Sequence, residues 1–359
     1  RLSDAEVLYF DPSITYIAPL KDKKAKEKVK AYKQSGEKVQ ENITVYSLPP
    51  ILPFFAKFRW INRINQKKIA KFVTKKMEEH GFQNPVLWTY NPISADAVDY
   101  IPHSGLVYDC VDRHSAYGGL MNPDLVDTME LDLARGADMV FATALGLCER
   151  LQTVNPKANF IPNGANYPRF SQAAQPQPCP VELQTLDKPI LGFVGALQEC
   201  IAYDYLEYAA QNRPDWNFVF IGRKSVGVDL SKLESLPNCH FLGLKPNEDL
   251  PKYMAQFDVC LNLFATSDLS KDVSPLKFYE YLATGKPIVS TRQPDQVLDF
   301  AHIIQIAGSK EEFVTQCEVA ITDVLPEHTE ARLDAGKASS WDSRVEQMEE
   351  ILRNEGIFK

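Results

Sequence analysis

The seven cysteines, at 110, 148, 179, 200, 239, 260 and 317, include no CxxC pair, and their number is odd. That pattern excludes a disulfide framework and a local zinc motif, and reads as the reduced thiols of a cytosolic protein. No apolar run approaches the roughly 20 residues of a spanning helix, and no signal peptide is visible. GxGxxG is absent, which argues against a common dinucleotide-binding fold. Internal repeats are not evident. What is present is ordinary for a soluble globular chain: 45% hydrophobic and 24% charged residues, in a length of 359 that suggests about two domains.

Charge is unevenly spread. Residues 1 to 80 carry 17 Lys/Arg against 9 Asp/Glu, while the remainder carries 22 against 38. Such asymmetry signals a partner, not a fold. It concentrates in residues 54–77, where Phe54, Phe58, Ile61, Ile64, Ile69 and Phe72 approximate helical spacing. Lys57, Arg59, Arg63, Lys67, Lys68, Lys71, Lys75 and Lys76 fill the gaps with no acid between them. One reading is a basic amphipathic surface on anionic lipid, with Trp60 at the interface. The other is a core-packed helix with solvated lysines outside. No base-reading motif accompanies these lysines and the rest is acidic, so nucleic acid is not expected as a partner.

Along the chain, short apolar strands alternate with helices. Residues 6–10 and 45–48 read as strands, and the Lys-rich stretch 21–38 as an exposed loop or weak helix. Residues 86–90 form a near-continuous apolar strand of the parallel-sheet type. Residues 105–108 form the next, which ends in DCVDRHSAYGG. Loops after the carboxyl ends of parallel strands hold ligands. This one carries Asp109, Asp112, Arg113 and His114, with Gly118-Gly119 for close backbone approach. Asp112 and His114 are candidate functional residues by their position; capping by Asp112 and a surface histidine is the plainer alternative. Further strands fall at 137–142, 189–194, 218–221, 240–243 and 257–263. The Pro-rich segment 171–180 reads as the domain boundary. A Rossmann-like domain begins with a strand, but this chain opens on Arg1, at what reads as the end of a helix; a first strand and most of a first helix are expected to be missing.

The stretch Asp272–Thr291, DVSPLKFYEYLATGKPIVST, carries the chemistry. Ser274 reads as an N-cap and Pro275 as the first helical residue, with Gly285 as the stop before a buried strand. The helix N-terminus offers free N–H groups and a positive dipole end to phosphate. Lys277 and Glu280 share a helical face. The lysine suits a diphosphate, and an acceptor-only carboxylate suits a pair of ribose hydroxyls. Gly195, after the strand 189–194, lets backbone approach a phosphate or a sugar.

Asp272 and Glu280 have seven residues between them, which resembles the acidic-x7-Glu signature of retaining glycosyltransferases of the family 4 type. The run SPLKFYEYLATGKPIV resembles the branch that includes teichuronic-acid and other surface-polysaccharide glycosyltransferases. The resemblance covers about residues 86–354 and implies a GT-B fold: α/β, two Rossmann-like domains, parallel sheets with helices on both faces. It implies an acceptor domain over 1–170, a nucleotide-sugar domain over 181–340, and a helix over 341–359 that returns to the first domain. The donor, with a UDP-sugar favoured, would meet Gly195, Ala196, Arg223, Ser274, Pro275, Leu276, Lys277 and Glu280. Asp272 would contact the donor sugar, and Asp112 and His114 would face the acceptor, a saccharide or lipid-linked saccharide. No Asp-x-Asp occurs, and neither metal nor cofactor is expected. Two departures stand out. Asn166 replaces the Asp of the family's Pro-Asn-Gly-Val-Asp turn. Many members also carry Arg and Lys after the glycine turn, where this chain has Ala196-Leu197-Gln198-Glu199; Lys277 and Arg223 are the candidate substitutes. The implied location is cytoplasmic, peripheral at the membrane's cytoplasmic face if residues 54–77 bind lipid. A sugar-nucleotide epimerase on the same fold and a non-catalytic sugar-nucleotide-binding scaffold are the alternative functions.

Overall fold

A computed structural model describes residues 5–20, 23–32, 36–116, 121–267 and 269–358. Contacts divide the chain into two units, Arg1–Ile161 with Met348–Lys359, and Pro162–Gln347. The expected Gly118-Gly119 turn lies outside the described residues.

In the first unit, β1 (Val7–Asp11), β2 (Glu37–Gln40) and β3 (Ile43–Ser47) form one sheet in the order β1-β3-β2. β1 runs parallel to β3, while β2 is an antiparallel edge. A second sheet holds β4 (Val86–Thr89), β5 (Gly105–Cys110), β6 (Met139–Ala142) and β7 (Ala158–Phe160), all parallel and in that order. β5 and β6 are covered on both faces, which is why they read as unbroken apolar runs. On one face, Tyr108 and Val140 meet Leu133 and Leu147. These come from the third and fourth of this unit's helices, α1 (Lys23–Tyr32), α2 (Arg59–Glu79), α3 (Pro123–Gly136) and α4 (Leu145–Gln152). On the other face, Val107 and Phe141 meet Met348, Ile351 and Leu352 near the end of the chain.

α2 begins at Arg59, so Phe54 and Phe58 lie ahead of it. Its buried side mixes Ile61, Ile69, Val73 and Met77 with Asn62, Asn65 and Gln66. The amides explain the arrangement. Asn65 Oδ1 accepts from Leu52 N–H at 2.9 Å, and its Nδ2 donates to Leu52 C=O at 3.0 Å. Asn62 Nδ2 donates to Ile93 C=O and to Asp96, each at 2.8 Å. Because these polar groups hold two loops, the helix turns Trp60 (62% exposed) and Ile64 (51% exposed) to the surface.

The second unit is one six-stranded parallel sheet: β8 (Ile190–Val194), β9 (Asn217–Ile221), β10 (Cys239–Gly243), β11 (Val259–Asn262), β12 (Ile288–Thr291) and β13 (Gln305–Ala307). The spatial order is β10-β9-β8-β11-β12-β13, so the order of the chain reverses between β8 and β11. Its helices are α5 (Tyr167–Phe170), α6 (Tyr203–Asn212), α7 (Ser231–Glu234), α8 (Leu250–Met254), α9 (Leu276–Thr284), α10 (Lys310–Ile321), α11 (Pro326–Ala338) and α12 (Trp341–Asn354), the last ending in the first unit. Leu206 of α6 and Phe313 of α10 pack on one face with Leu191, Phe218 and Leu261. Phe278 and Leu282 of α9 pack on the other with Val219 and Cys260. The Pro-rich segment 171–180 is not a free linker: residues 171–174 make a 3-10 turn, and Ala173 is buried beside Phe170 in this core.

Candidate functional site

The reversal between β8 and β11 opens a crevice at the carboxyl ends of the strands, where open α/β sheets hold ligands. β8 ends at Val194 and turns at Gly195 with φ +150°. Beside it, β9 ends at Ile221 and turns at Gly222 with φ +147°, and a Cβ there would lie 1.9 Å from the Gly195 carbonyl oxygen. The two turns therefore nest only because Gly222 lacks a side chain. α9 is fastened to the same place. Val194 N–H donates to Tyr281 Oη at 2.8 Å, and the Tyr281 hydroxyl donates back to Val194 C=O at 3.3 Å. This link sets the N-terminus of α9 against the glycine turn.

Lys277 and Glu280 project from that first turn and a half of α9. The Lys277 ammonium lies 4.1 Å from the Phe193 ring centroid and 5.1 Å from that of Phe264, and it closes on Gly195, 3.0 Å from where a Cβ would stand. Phe264 is held by Thr291, whose Oγ1 accepts from its N–H and donates to its C=O, both at 2.9 Å. Two ring faces favour the cation, but burial outweighs them and brings the Lys277 pKa down to about 8. Burial pushes Glu280 up to about 7, against the opposing pull of Lys277 and Arg169. Both side chains are half-buried, and neither has an ion pair or hydrogen bond among the described residues.

Ser274 does not cap α9. The cap position is Pro275, with no side-chain hydrogen bond, and helical residues start at Leu276. The Ser274 hydroxyl instead donates to Gln296 Oε1 at 3.0 Å and accepts from Asn163 N–H at 3.0 Å. Asn163 Nδ2 reaches Ser274 C=O at 3.0 Å, so the Pro162-Asn163-Gly164 turn braces the loop before α9. Gly164 is required there, since a Cβ would meet the Ser340 carbonyl carbon and the Trp341 nitrogen at 2.9 Å. Asn166, in place of the expected Asp, caps α5 by accepting from Arg169 N–H at 3.1 Å. Asp272 is buried at the end of a 3-10 turn over Ser270–Asp272. Gly285 is the expected left-handed stop, φ +68°.

Gly195 and Lys277 are thus brought together, with Glu280 one turn along α9 and Ser274, Pro275 and Leu276 at its start; Ala196 follows the glycine turn, and Asp272 lies buried ahead of Ser274. Arg223 contributes backbone, its C=O accepting from Leu197 N–H at 2.9 Å, while its side chain is exposed. Phe193, Phe264, Arg169, Gly222 and Gln296 were not singled out from sequence. Only Gly222, in Ile221-Gly222-Arg223 after a strand, left a usable signal.

The first unit holds its own polar cluster at the carboxyl end of β5. Asp112 Oδ1 accepts from Arg113 N–H at 2.9 Å, and its C=O accepts from His114 N–H at 3.1 Å. Asp109, held by Trp88 Nε1 at 3.3 Å, is pushed up to about 6 by burial. Behind the loop, Glu130 is buried between Tyr108 (2.6 Å) and Arg150, which also pairs with Asp127.

Residues 188–323 match the family model for glycosyl transferases group 1. The second unit carries a group 1 glycosyltransferase domain. All the crevice residues from Phe193 to Gln296 lie in it. The chain is also 26% identical over 271 residues to a protein described as the teichuronic acid biosynthesis glycosyltransferase TuaH of Bacillus subtilis (strain 168), covering 71% of this chain and 67% of that one. Among solved structures, sucrose-phosphate synthase from Thermosynechococcus elongatus superposes with a TM-score of 0.70 at 15% identity, over 98% of this chain and 89% of the other. Anabaena Alr3699/HepE in complex with UDP and glucose gives 0.61 at 16%, over 87% and 86%. These likenesses establish the fold, GT-B, around the group 1 domain.

Proposed function

We propose that the protein transfers a glycosyl unit from a nucleotide sugar to a hydroxyl acceptor, with retention, in surface-polysaccharide biosynthesis. One observation carries the reading. Lys277 and Glu280 stand on one face of α9 without a hydrogen bond or ion pair among the described residues, over a glycine turn at the sheet's switch point. An ammonium there would neutralise charge growing on a departing diphosphate, together with the amide groups of the helix N-terminus. A carboxylate one turn on would accept from both ribose hydroxyls. Asp272 would contact the donor sugar; Asp112 and His114 would orient the acceptor. The reading assigns no metal and no covalent nucleophile, and favours a UDP-sugar, in keeping with the UDP and glucose bound by the Anabaena protein. It places the protein in the cytoplasm. The exposed Trp60 and Ile64 among the lysines of α2 support a peripheral contact with anionic lipid, from which a lipid-linked acceptor would be reached.

Calorimetric titration with UDP, GDP and ADP, with and without a divalent metal, tests the donor site. Saturable binding of one nucleotide without metal is expected; no binding by any would remove the reading. The missing Arg/Lys pair after Gly195 favours a second reading, a binding scaffold. Transfer by the protein, measured with the sugar nucleotide of the base that binds, separates the two. Conversion of that sugar without an acceptor would indicate an epimerase instead.

A further inference from the structure

Among the described residues the buried charged side chains are Glu130, Asp272, Arg332 and Arg344. Glu130 pairs with Arg150, and Arg332 with Asp323 at 2.7 Å. Arg344, in the first turn of α12 and within the second unit, differs: it is 9% exposed and has no ion pair among the described residues. Its hydrogen bond is long, Nε donating to Asn163 C=O at 3.5 Å, and the guanidinium carbon lies 5.9 Å from the Tyr279 ring centroid. Neither Nη nitrogen has a partner among the described residues, and neither is sealed from solvent. Burial draws the Arg344 pKa down, opposed by Tyr279 alone. A buried cation without a counter-charge is costly, so this one calls for an anion that arrives with a ligand.

The guanidinium adjoins the side chains that brace the start of α9. Asn163, which takes the Nε hydrogen bond, holds Ser274 through two hydrogen bonds at 3.0 Å. The Tyr279 and Ser274 hydroxyls both donate to Gln296 Oε1, at 2.9 and 3.0 Å. The proposed function, on which this inference rests, lays the ribose at Glu280 and the diphosphate at Lys277. A ligand running along α9 in that direction brings its sugar to the start of the helix, the end that Arg344 adjoins.

We propose that Arg344 is a specificity-determining residue that pairs through its Nη groups with a carboxylate on the transferred sugar, so that the donor is the nucleotide diphosphate of a hexuronate. Two Nη groups in one plane match the two oxygens of a carboxylate. Lys277 already meets the diphosphate and the ribose is neutral, so the charge left for Arg344 is carried by the sugar. Asp272 remains for the sugar's hydroxyls, from which a carboxylate accepts. An acidic group on the acceptor is the weaker match, because Arg344 belongs to the unit of the donor crevice and the loop of Asp112 and His114 to the other.

Titration calorimetry compares each acid with its neutral parent: UDP-glucuronate with UDP-glucose, and UDP-galacturonate with UDP-galactose. In at least one pair the acid is expected to bind about tenfold tighter or more, as for a charge-assisted bidentate contact. Arg344→Gln should bring that ratio to about one, and Arg344→Lys, which keeps the charge without the fork, should retain part of it. The ratio is the readout because damage to the brace at Asn163 would weaken both members of a pair alike. Parity in both pairs for the unmutated protein overturns the inference and needs no variant; so does a preference that survives in Arg344→Gln. UDP alone separates two failures. UDP bound, with parity between acid and parent, removes only the role of Arg344, whereas no binding of UDP removes the donor site and this inference with it.

Discussion

Glu280 loses its charge as pH falls through about 7 and Lys277 loses its own as pH rises through about 8, and that couples ligand binding to pH. A carboxylate with its folded pKa raised to about 7 contributes stability that is full below its unfolded value near 4.5 and is lost as pH rises through 7. A lysine with its folded pKa lowered to about 8 works in the opposite sense: its contribution is full above the unfolded value near 10.5 and is lost as pH falls through 8. Above about pH 7 the empty site therefore holds a costly carboxylate, and below about pH 8 a costly ammonium. A ligand that pairs with both relieves both. Affinity for the sugar nucleotide, whose diphosphate diester does not titrate in this range, is expected to be bell-shaped with limbs near 7 and 8. Glu280→Gln should flatten the acid limb, and Lys277→Met the alkaline one. Glu280→Ala should lose donor binding by tenfold or more, about 1.4 kcal/mol or above, as for a lost charge-assisted bond. Titration calorimetry across pH reads all three; unchanged affinity in Glu280→Ala would sink the ribose assignment.

The site is assembled by element ends, and one close approach sets it. With Gly222 Cβ-free, the turn after β9 rests on the Gly195 carbonyl. Gly222→Ala should cost about 1–3 kcal/mol by overpacking, and it should push the β8 turn away from Lys277, weakening nucleotide affinity as well. Gly136→Ala, which meets nothing within 4 Å, is the control, neutral or slightly stabilising. Denaturant midpoints with nucleotide titration measure both effects. The elements most legible in sequence were those whose pattern matches their packing: β5, β6, β8, β9 and β11 as apolar runs, and the α9 stop at Gly285. β2 left no trace because its four residues are all exposed. α11 was missed because only Arg332 and Gly336 along it are buried. Its fit depends on Gly336 closing to 2.6 Å from Ala283, and on Arg332 donating to Gly285 C=O at 3.0 Å, neither visible as an apolar stripe. In the crevice, Lys277, Glu280 and Gly195 were readable because their residue types state their chemistry. Phe193, Arg169 and Asn163 were not, since only tertiary contact brings them to α9. Ser274 misled because a serine before Pro suits an N-cap, while the fold assigns its hydroxyl to Asn163 and Gln296.

For the molecule as a whole, the charge gradient along the chain is the property that separate sites do not explain. A net charge of −8 would repel an anionic surface, yet residues 1 to 80 carry an excess of eight positive charges. On α2, Lys67, Lys71 and Lys75 lie exposed with Trp60 and Ile64, while Asn62, Asn65 and Gln66 are buried beside Ile61, Ile69, Val73 and Met77. Exposed Trp60 and Ile64 beside lysines suit an interface where Trp enters the headgroup layer and lysines meet phosphate. Co-sedimentation with phosphatidylserine-containing vesicles should show binding at low salt that weakens as salt is raised. Each Lys→Glu change at 67 or 71 should reduce binding by about fivefold or more, from about 1 kcal/mol per basic residue. Trp60→Ala should weaken it at any salt, because its contribution is apolar. Neutral vesicles should bind poorly. Absence of binding to anionic vesicles at low salt would return α2 to the role of a solvated helix, and the charge gradient would then need a soluble anionic partner.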